Sequence, residues 1–355
     1  NTLSEAFIST ASSITDGLTF ALGGDVVVPS EPAPSGRVVL LDRFGTNVVT
    51  WVDPATAEVS GQLALGTGFE SNPLDYVEVD ERLAFVSRSG INATPGAQVH
   101  DTGNDLLVID TLEPEIVDSI PLPFYGELPP RPSSLLRHGA EVIVTLDRYA
   151  ADFSTTGAAM YAGVSIEERK VVWQTTLEDY KACGQVALAP DGDTAAIACT
   201  GRVRFDGSSE NIAESALLLV AIEPAGIRIE KAFAAEALAG EPIKSNVTFA
   251  DQHTLLFRTQ TPLGGTTHNR LLALDLRSEQ VVTLLEAGPD TKGVGKGIVY
   301  SGVACAPGCT TTCVMADADR DVLQRLRITA AGPELLDEVP VDTRSGLPPL
   351  TVAYR

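Results

Sequence analysis

Four histidines, five cysteines and one run of alternating aspartates are the residues of this chain best suited by type to do chemistry. His100, His138, His253 and His268 never fall at a metal-ligand spacing, and no Cys-x-x-Cys or haem-attachment motif occurs. His100, which precedes Asp101, and His268 both sit in long polar stretches. Each is a candidate general base or binding residue, set against the plainer reading of an exposed loop side chain. Asp317, Asp319 and Asp321 alternate as carboxylates do in calcium loops, without the Gly and distal Glu of the helix-loop-helix site. Calcium is the one cofactor these residues suggest; the alternative is that Asp simply favours turns. Gly293-Val294-Gly295-Lys296-Gly297 is glycine-rich, but a strand-like run follows where a phosphate cradle needs a helix N-terminus. No Gly-x-Ser-x-Gly elbow is present. Asn92-Ala93-Thr94 and Asn246-Val247-Thr248 are glycosylation sequons, relevant only in a glycosylating host.

The cysteines are more informative. Cys183 and Cys199 flank the turn Pro190-Asp191-Gly192 almost symmetrically, so a β-hairpin would set them opposite each other. Cys305, Cys309 and Cys313 cluster about a second hairpin, where Cys305–Cys313 would bridge and leave one spare thiol. Disulfides persist in oxidising compartments, so an extracytoplasmic protein is expected, whether periplasmic, cell-surface or secreted. Five reduced, buried thiols are the alternative.

Composition narrows the partners. The 355 residues carry 25 Lys and Arg against 47 Asp and Glu, a formal charge of −22. Such a surface repels phosphate backbones, which argues against nucleic acid, and anionic membranes are disfavoured for the same reason. No apolar run approaches the roughly 20 residues of a transmembrane helix. Apolar residues at 44% suffice for a sizeable core.

The elements that must position these residues read as strands. Val38 to Leu41, Val48 to Val52, Leu106 to Ile109, Val142 to Leu146 and Leu217 to Ile222 are short, rich in Val, Leu and Ile, and bounded by turn residues. Helical periodicity is sustained almost nowhere; Lys231 to Ala239 is Ala-rich but too short for more than a loop helix. One phrase recurs: an apolar strand, an acid, a turn, then another strand. Its acid falls at Asp53, Asp110, Glu167, Glu223 and Asp275, with a degenerate sixth copy at Thr329, in steps of 57, 57, 56, 52 and 54 residues. An even step near the length of a four-stranded unit is the mark of propeller blades.

Arg37 to Val59 (RVVLLDRFGTNVVTWVDPATAEV) and Asn104 to Pro123 (NDLLVIDTLEPEIVDSIPLP) resemble blades of the YVTN-type propeller repeat. Ala189-Pro190-Asp191-Gly192 is similar to that family's hairpin between its first two strands. The resemblance is clearest in about three blades, and it implies a fold far more than a chemistry. The expectation is an all-β propeller over 1–355 with four-stranded antiparallel blades. Seven blades are expected, residues 1–23 and 349–355 closing the last; six blades are the alternative.

With strands labelled a to d in each blade, the long loops fall between b and c or between d and the next a. Ser89 to Gly103, Ala150 to Gly157, Gly201 to Ser215 and Thr259 to Asn269 are the b–c loops. Scaffolds carry function on such loops, so this face is expected to bind a protein or small ligand. Each b strand also ends near an arginine: Arg43, Arg88, Arg148, Arg202, Arg258 and Arg320. The guanidinium groups would either receive an anion or acidic segment, or pair with acids and order the blades. Function is read as an exported, non-enzymatic binding or scaffold module. The alternative is an enzyme or redox accessory with a metal or small ligand at the central channel mouth.

Overall fold

The structure is a computed structural model, and it describes residues 25–56, 58–192, 194–202, 208–260, 269–287, 300–306, 312–317, 320–329 and 332–341. Among them, six four-stranded antiparallel sheets follow one another, each pairing its strands in chain order. The first is β1 (Val26–Val27), β2 (Val38–Asp42), β3 (Val48–Val52) and β4 (Val59–Ala64). The second is β5 (Pro73–Glu78), β6 (Leu83–Ile91), β7 (Gly103–Asp110) and β8 (Glu115–Pro121). The third is β9 (Pro132–His138), β10 (Glu141–Leu146), β11 (Ala158–Ser165) and β12 (Lys170–Lys181). The fourth is β13 (Ala187–Leu188), β14 (Ala195–Cys199), β15 (Ala216–Glu223) and β16 (Gly226–Ala234). The fifth is β17 (Ile243–Phe249), β18 (Thr254–Gln260), β19 (Asn269–Asp275) and β20 (Val281–Ala287). The sixth is β21 (Tyr300–Cys305), β22 (Thr312–Asp317), β23 (Val322–Thr329) and β24 (Gly332–Pro340). Among the described residues, two short helices, α1 (Ser209–Glu214) and α2 (Ala235–Leu238), interrupt the loops. No helix among the described residues is long and apolar enough to cross a membrane.

Six sheets replace the seven expected and match the six-bladed alternative. The chain's six copies of the strand–acid–turn phrase already fill six sheets. The segments 1–23 and 349–355, expected to complete a seventh, lie outside the described residues. The described residues divide into two compact units, one running to Tyr149 and resuming over Met160–Thr175, the other built from Ala150–Ala159 and the residues from Thr176 onward.

Burial explains the strand patterns. The b and c strands are covered on both faces, so β7 and β14 are buried almost end to end. The d strands β4 and β8 alternate between exposed and covered side chains, as edge strands do. The core lies between successive sheets. Val39, Leu41 and Trp51 pack on Tyr76, Val86 and Ile109. Phe85 and Leu106 pack with Leu135, Val144 and Met160. In the second unit Ala198 and Phe233 pack with Ile243 and Phe257, and Leu256 and Leu271 with Met315 and Leu326.

The recurring acid has a local cause. Asp53 Oδ1 accepts from the Ala55 N–H at 2.7 Å. Asp110 Oδ1 accepts from Leu112 and Glu113, both at 3.0 Å, and Asp275 Oδ1 from Arg277 and Ser278, both at 2.8 Å. Each carboxylate caps the tight turn between strands c and d. A second repeated residue ties one sheet to the next. Asn47 Oδ1 accepts from Ser71 and Asn72 N–H at 3.0 and 2.9 Å, just before β5. Asn104 Oδ1 accepts from Arg131 N–H at 2.8 Å, just before β9.

Candidate functional site

The end of β12 and the end of β14 run antiparallel and are stitched together. The Cys183–Cys199 disulfide forms as expected. Beyond it, Thr200 N–H donates to Ala182 and Gly201 N–H to Lys181, each at 3.0 Å. This stitching holds Lys181 beside Gly201. The chain then enters α1, whose cap Ser208 accepts from Asn211 N–H. Buried Asn211 donates Nδ2–H to the Thr200 carbonyl at 2.7 Å, and Ser215 Oγ donates to Cys199 at 2.8 Å. The helix is thereby folded back on the strand it follows.

That geometry builds an ion cluster. Glu210 and Glu214 lie one helical turn apart and both reach Arg202. Arg202 Nε is 2.8 Å from Glu214 Oε2, and its Nη2 is 3.1 Å from Glu210 Oε2. Lys181 Nζ donates to the other Glu214 oxygen at 3.3 Å. Burial works against the Glu214 charge, but hydrogen bonds from Arg202 and Lys181 hold its carboxyl below the usual range.

The loop between β10 and β11 supplies the opposite wall. Ala150 N–H donates to Thr155 and Phe153 N–H to Ala150, both at 2.9 Å, which closes a compact turn. Phe153 sits in the left-handed region at φ 59°, and the residue is 42% exposed. Between the walls is a cavity of about 520 Å³, with Phe153 to Thr156 on one side and Lys181, Gly201, Arg202 and Glu214 on the other. Of the expected site residues, Arg202 alone lines it. Lys181, Glu214 and Phe153 were missed. They lie 33 and 28 residues apart in the chain, and no local motif joins them.

The other arginines stand at the equivalent end of their own sheets, and four of them meet groups of the protein itself. Arg88 is fully buried, bonds both Asp105 oxygens at 2.8 and 2.6 Å, and donates to the Leu65 and His100 carbonyls. Arg43 pairs with Asp25 at 2.6 Å. Arg148 donates to the Tyr125 carbonyl and lies over that ring at 5.0 Å. Arg320 pairs with Glu338 at 2.5 Å. Burial lowers buried Arg258 to a pKa of about 10. His100 Nδ1 is 2.9 Å from Ser119 Oγ on β8, which anchors its loop to the outer strand. His268 lies outside the described residues, as do Cys309, Asp319 and the Gly293 to Gly297 stretch. Asp317 Oδ1 accepts from Arg320 N–H at 3.1 Å, capping the turn that contains Asp321. Among the described residues, no group of three or more His, Cys, Asp or Glu could hold a metal ion. Cys305 and Cys313 form the second disulfide.

No protein-family model and no curated protein matches this chain. Solved structures do. A chain of Kuenenia stuttgartiensis hydrazine synthase superposes with a TM-score of 0.61 at 15% identity, covering 92% of this chain and 88% of that one. The Cps50 (Swd1) β-propeller domain of Myceliophteria thermophila gives 0.52 at 12% identity, covering 88% and 85%. The WD40 domain of Toxoplasma gondii coronin gives 0.53 at 8% identity, covering 88% and 70%. The fold is a β-propeller. Identities this low carry the propeller architecture and no activity.

Proposed function

We propose that this propeller is an exported, non-enzymatic binding or scaffold module that works through its b–c and d–a loops. Its blades are read as YVTN-type repeats. The observation that carries the reading is the cavity walled by two successive b–c loops, of a size ligand sites commonly have. Two disulfides accord with an oxidising compartment outside the cytoplasm. WD40 and Swd1 propellers share the architecture, which supports a scaffold role by analogy only.

The second reading is a propeller enzyme or redox accessory protein with a metal or small ligand at the central channel mouth; the likeness to hydrazine synthase supports an enzyme by analogy of fold. Native mass spectrometry of protein from its own source, beside the denatured mass, separates the two. The binding reading expects an excess mass of a small ligand or partner that disappears when residues 150–157 are replaced by a Gly-Ser linker. An excess unaffected by that replacement, or equal to a metal or prosthetic group, overturns it. A bare-chain mass in both proteins also counts against it.

A further inference from the structure

We infer that the b–c and d–a loops of the first unit form a preorganised aromatic surface for a basic segment of a partner protein. The partner's apolar side chains would meet Phe44, Phe124 and Tyr125, and its cations the exposed carboxylates around them. The inference goes beyond the cavity reading above, because none of its residues lines that cavity.

Placement comes first. Among the described residues of the first unit, the exposed aromatic residues are Phe44 at 54%, Phe124 at 63% and Tyr125 at 44%. Phe44 lies between β2 and β3, Phe124 and Tyr125 between β8 and β9. Val99, 74% exposed, and Ile91 join them from the loop after β6. The outer strands show only single exposed aliphatics, Val59, Val117 and Val172. Scattered aliphatics are ordinary, whereas rings gathered on one set of loops mark a contact surface. These loops are tied to one another. Asn47 Nδ2 donates to Glu70 at 2.8 Å, and Thr67 Oγ donates to the His100 carbonyl at 2.9 Å. Arg131 N–H donates to Asn104 Oδ1 at 2.8 Å. Burial and the Asp147 charge push the Tyr149 hydroxyl up, while Arg131 and the more distant loop residue Arg43 pull it down.

Rigidity comes second. A guanidinium stands over each of four rings here: Arg43 at 5.7 Å from Phe44, Arg88 at 5.2 Å from Phe69, Arg148 at 5.0 Å from Tyr125 and Arg131 at 4.7 Å from Tyr149. Arg131 and Arg148 take φ 45° and 42°, a backbone cost borne beside the Phe124–Tyr125 tip. Buried Asp101 accepts from the N–H groups of Gly96, Ala97 and Gln98 at 2.8 to 3.0 Å, which winds its loop tightly under Val99. Apolar groups fixed in place before contact lose little entropy on binding.

Charge names the partner. No Lys or Arg occurs between Arg88 and Arg131, and the first lysine of the chain is Lys170. The arginines of these loops hold Asp25, Asp105 and the Tyr125 and Tyr149 carbonyls. Glu70 and Glu127 stand exposed among the rings. A basic partner complements that face, and a second copy of a chain of formal charge −22 does not.

Panning a random dodecapeptide library on the oxidised full chain, then titrating the leading synthetic peptide, tests this. Selected peptides should carry more Lys and Arg than Asp and Glu, with at least one aromatic or aliphatic side chain. Phe124→Ser should weaken the leading peptide about tenfold or more, as loss of an anchoring ring does. Its melting temperature should hold, because the side chain is exposed. Glu127→Lys should weaken binding about threefold, and raising NaCl from about 50 to about 300 mM should act in the same direction. Selection of acidic or uncharged peptides, or of none, would overturn the inference. So would a leading peptide indifferent to both Phe124→Ser and Phe44→Ser. A dimer in sedimentation that Phe124→Ser dissolves would assign the surface to a second copy instead. A peptide lost on replacement of residues 150–157 but not with the rings would sink this inference and leave the cavity reading standing.

Discussion

Gly201 and Glu214 approach so closely that a Cβ on the glycine would lie 2.7 Å from the Glu214 Cβ. The contact lets α1 lie against the end of β14, which brings Glu214 within reach of both Lys181 and Arg202. Gly201 also takes φ 82°, where other residues are strained. Gly201→Ala should therefore cost about 1–3 kcal/mol and pull the cluster apart. Urea denaturation of the two proteins gives the number. A neutral substitution would mean that α1 can shift without cost.

The Cys183–Cys199 bridge closes a loop with a sequence separation of 16 residues. Replacing both cysteines by serine should lower stability by about 3 kcal/mol on the chain-entropy account. Urea denaturation of the oxidised protein beside the double variant measures the difference.

Arg88 and Arg320 occupy equivalent places and should behave differently. Arg88 is buried against Asp105, so Arg88→Ala strands a charge and should cost about 3–5 kcal/mol. The side chain of Arg320 is 54% exposed beside Glu338, and Arg320→Ala should cost less than about 1 kcal/mol. Equal costs would argue that all the blade arginines share one task.

Stability should fall as pH rises between about 4 and 7 through a set of covered carboxyls. Burial pushes Asp147 from its ordinary 3.8 up to about 7, with the Ser133 hydroxyl and the Arg131 charge pulling the other way. Burial, with the nearby Asp75 charge, raises Glu31 to about 7, and burial raises Asp75 to about 6. A raised carboxyl binds its proton more tightly in the folded chain. Its contribution is full below pH 3.8 and is lost as pH climbs through the folded value. Asp147→Asn should accordingly raise the melting temperature at pH 8, leave it nearly unchanged at pH 4, and flatten the slope between. A parallel shift at all pH values would refute that assignment.

Much of the architecture was written in local patterns. The 57-residue step from Asp53 to Asp110 marks a capped turn, and a turn needs only its own few residues to form. Asn47 and Asn104 repeat at the same 57-residue step, a signal available in the sequence that gained meaning once their bonds to the next sheet were seen. Apolar b and c strands and alternating d strands likewise follow from residue types, because burial on one face or two sets the pattern. Cys183 and Cys199 could be paired in advance because a hairpin turn fixes which residues face each other.

The site was a different matter. Phe153, Lys181 and Glu214 belong to separate loops and a strand end, and only the folded chain brings them to one cavity. Whether an arginine is locked to an acid or set on a cavity wall also escaped the sequence. Arg88 and Arg202 follow the same strand position, yet one is enclosed by Asp105 and backbone carbonyls while the other pairs with Glu210 and Glu214 of α1 at a cavity wall. Local spacing determines turns, strands and hairpin partners, since those bonds span few residues. Burial and the surrounding charges determine the chemistry of a side chain, and only the packed chain supplies them.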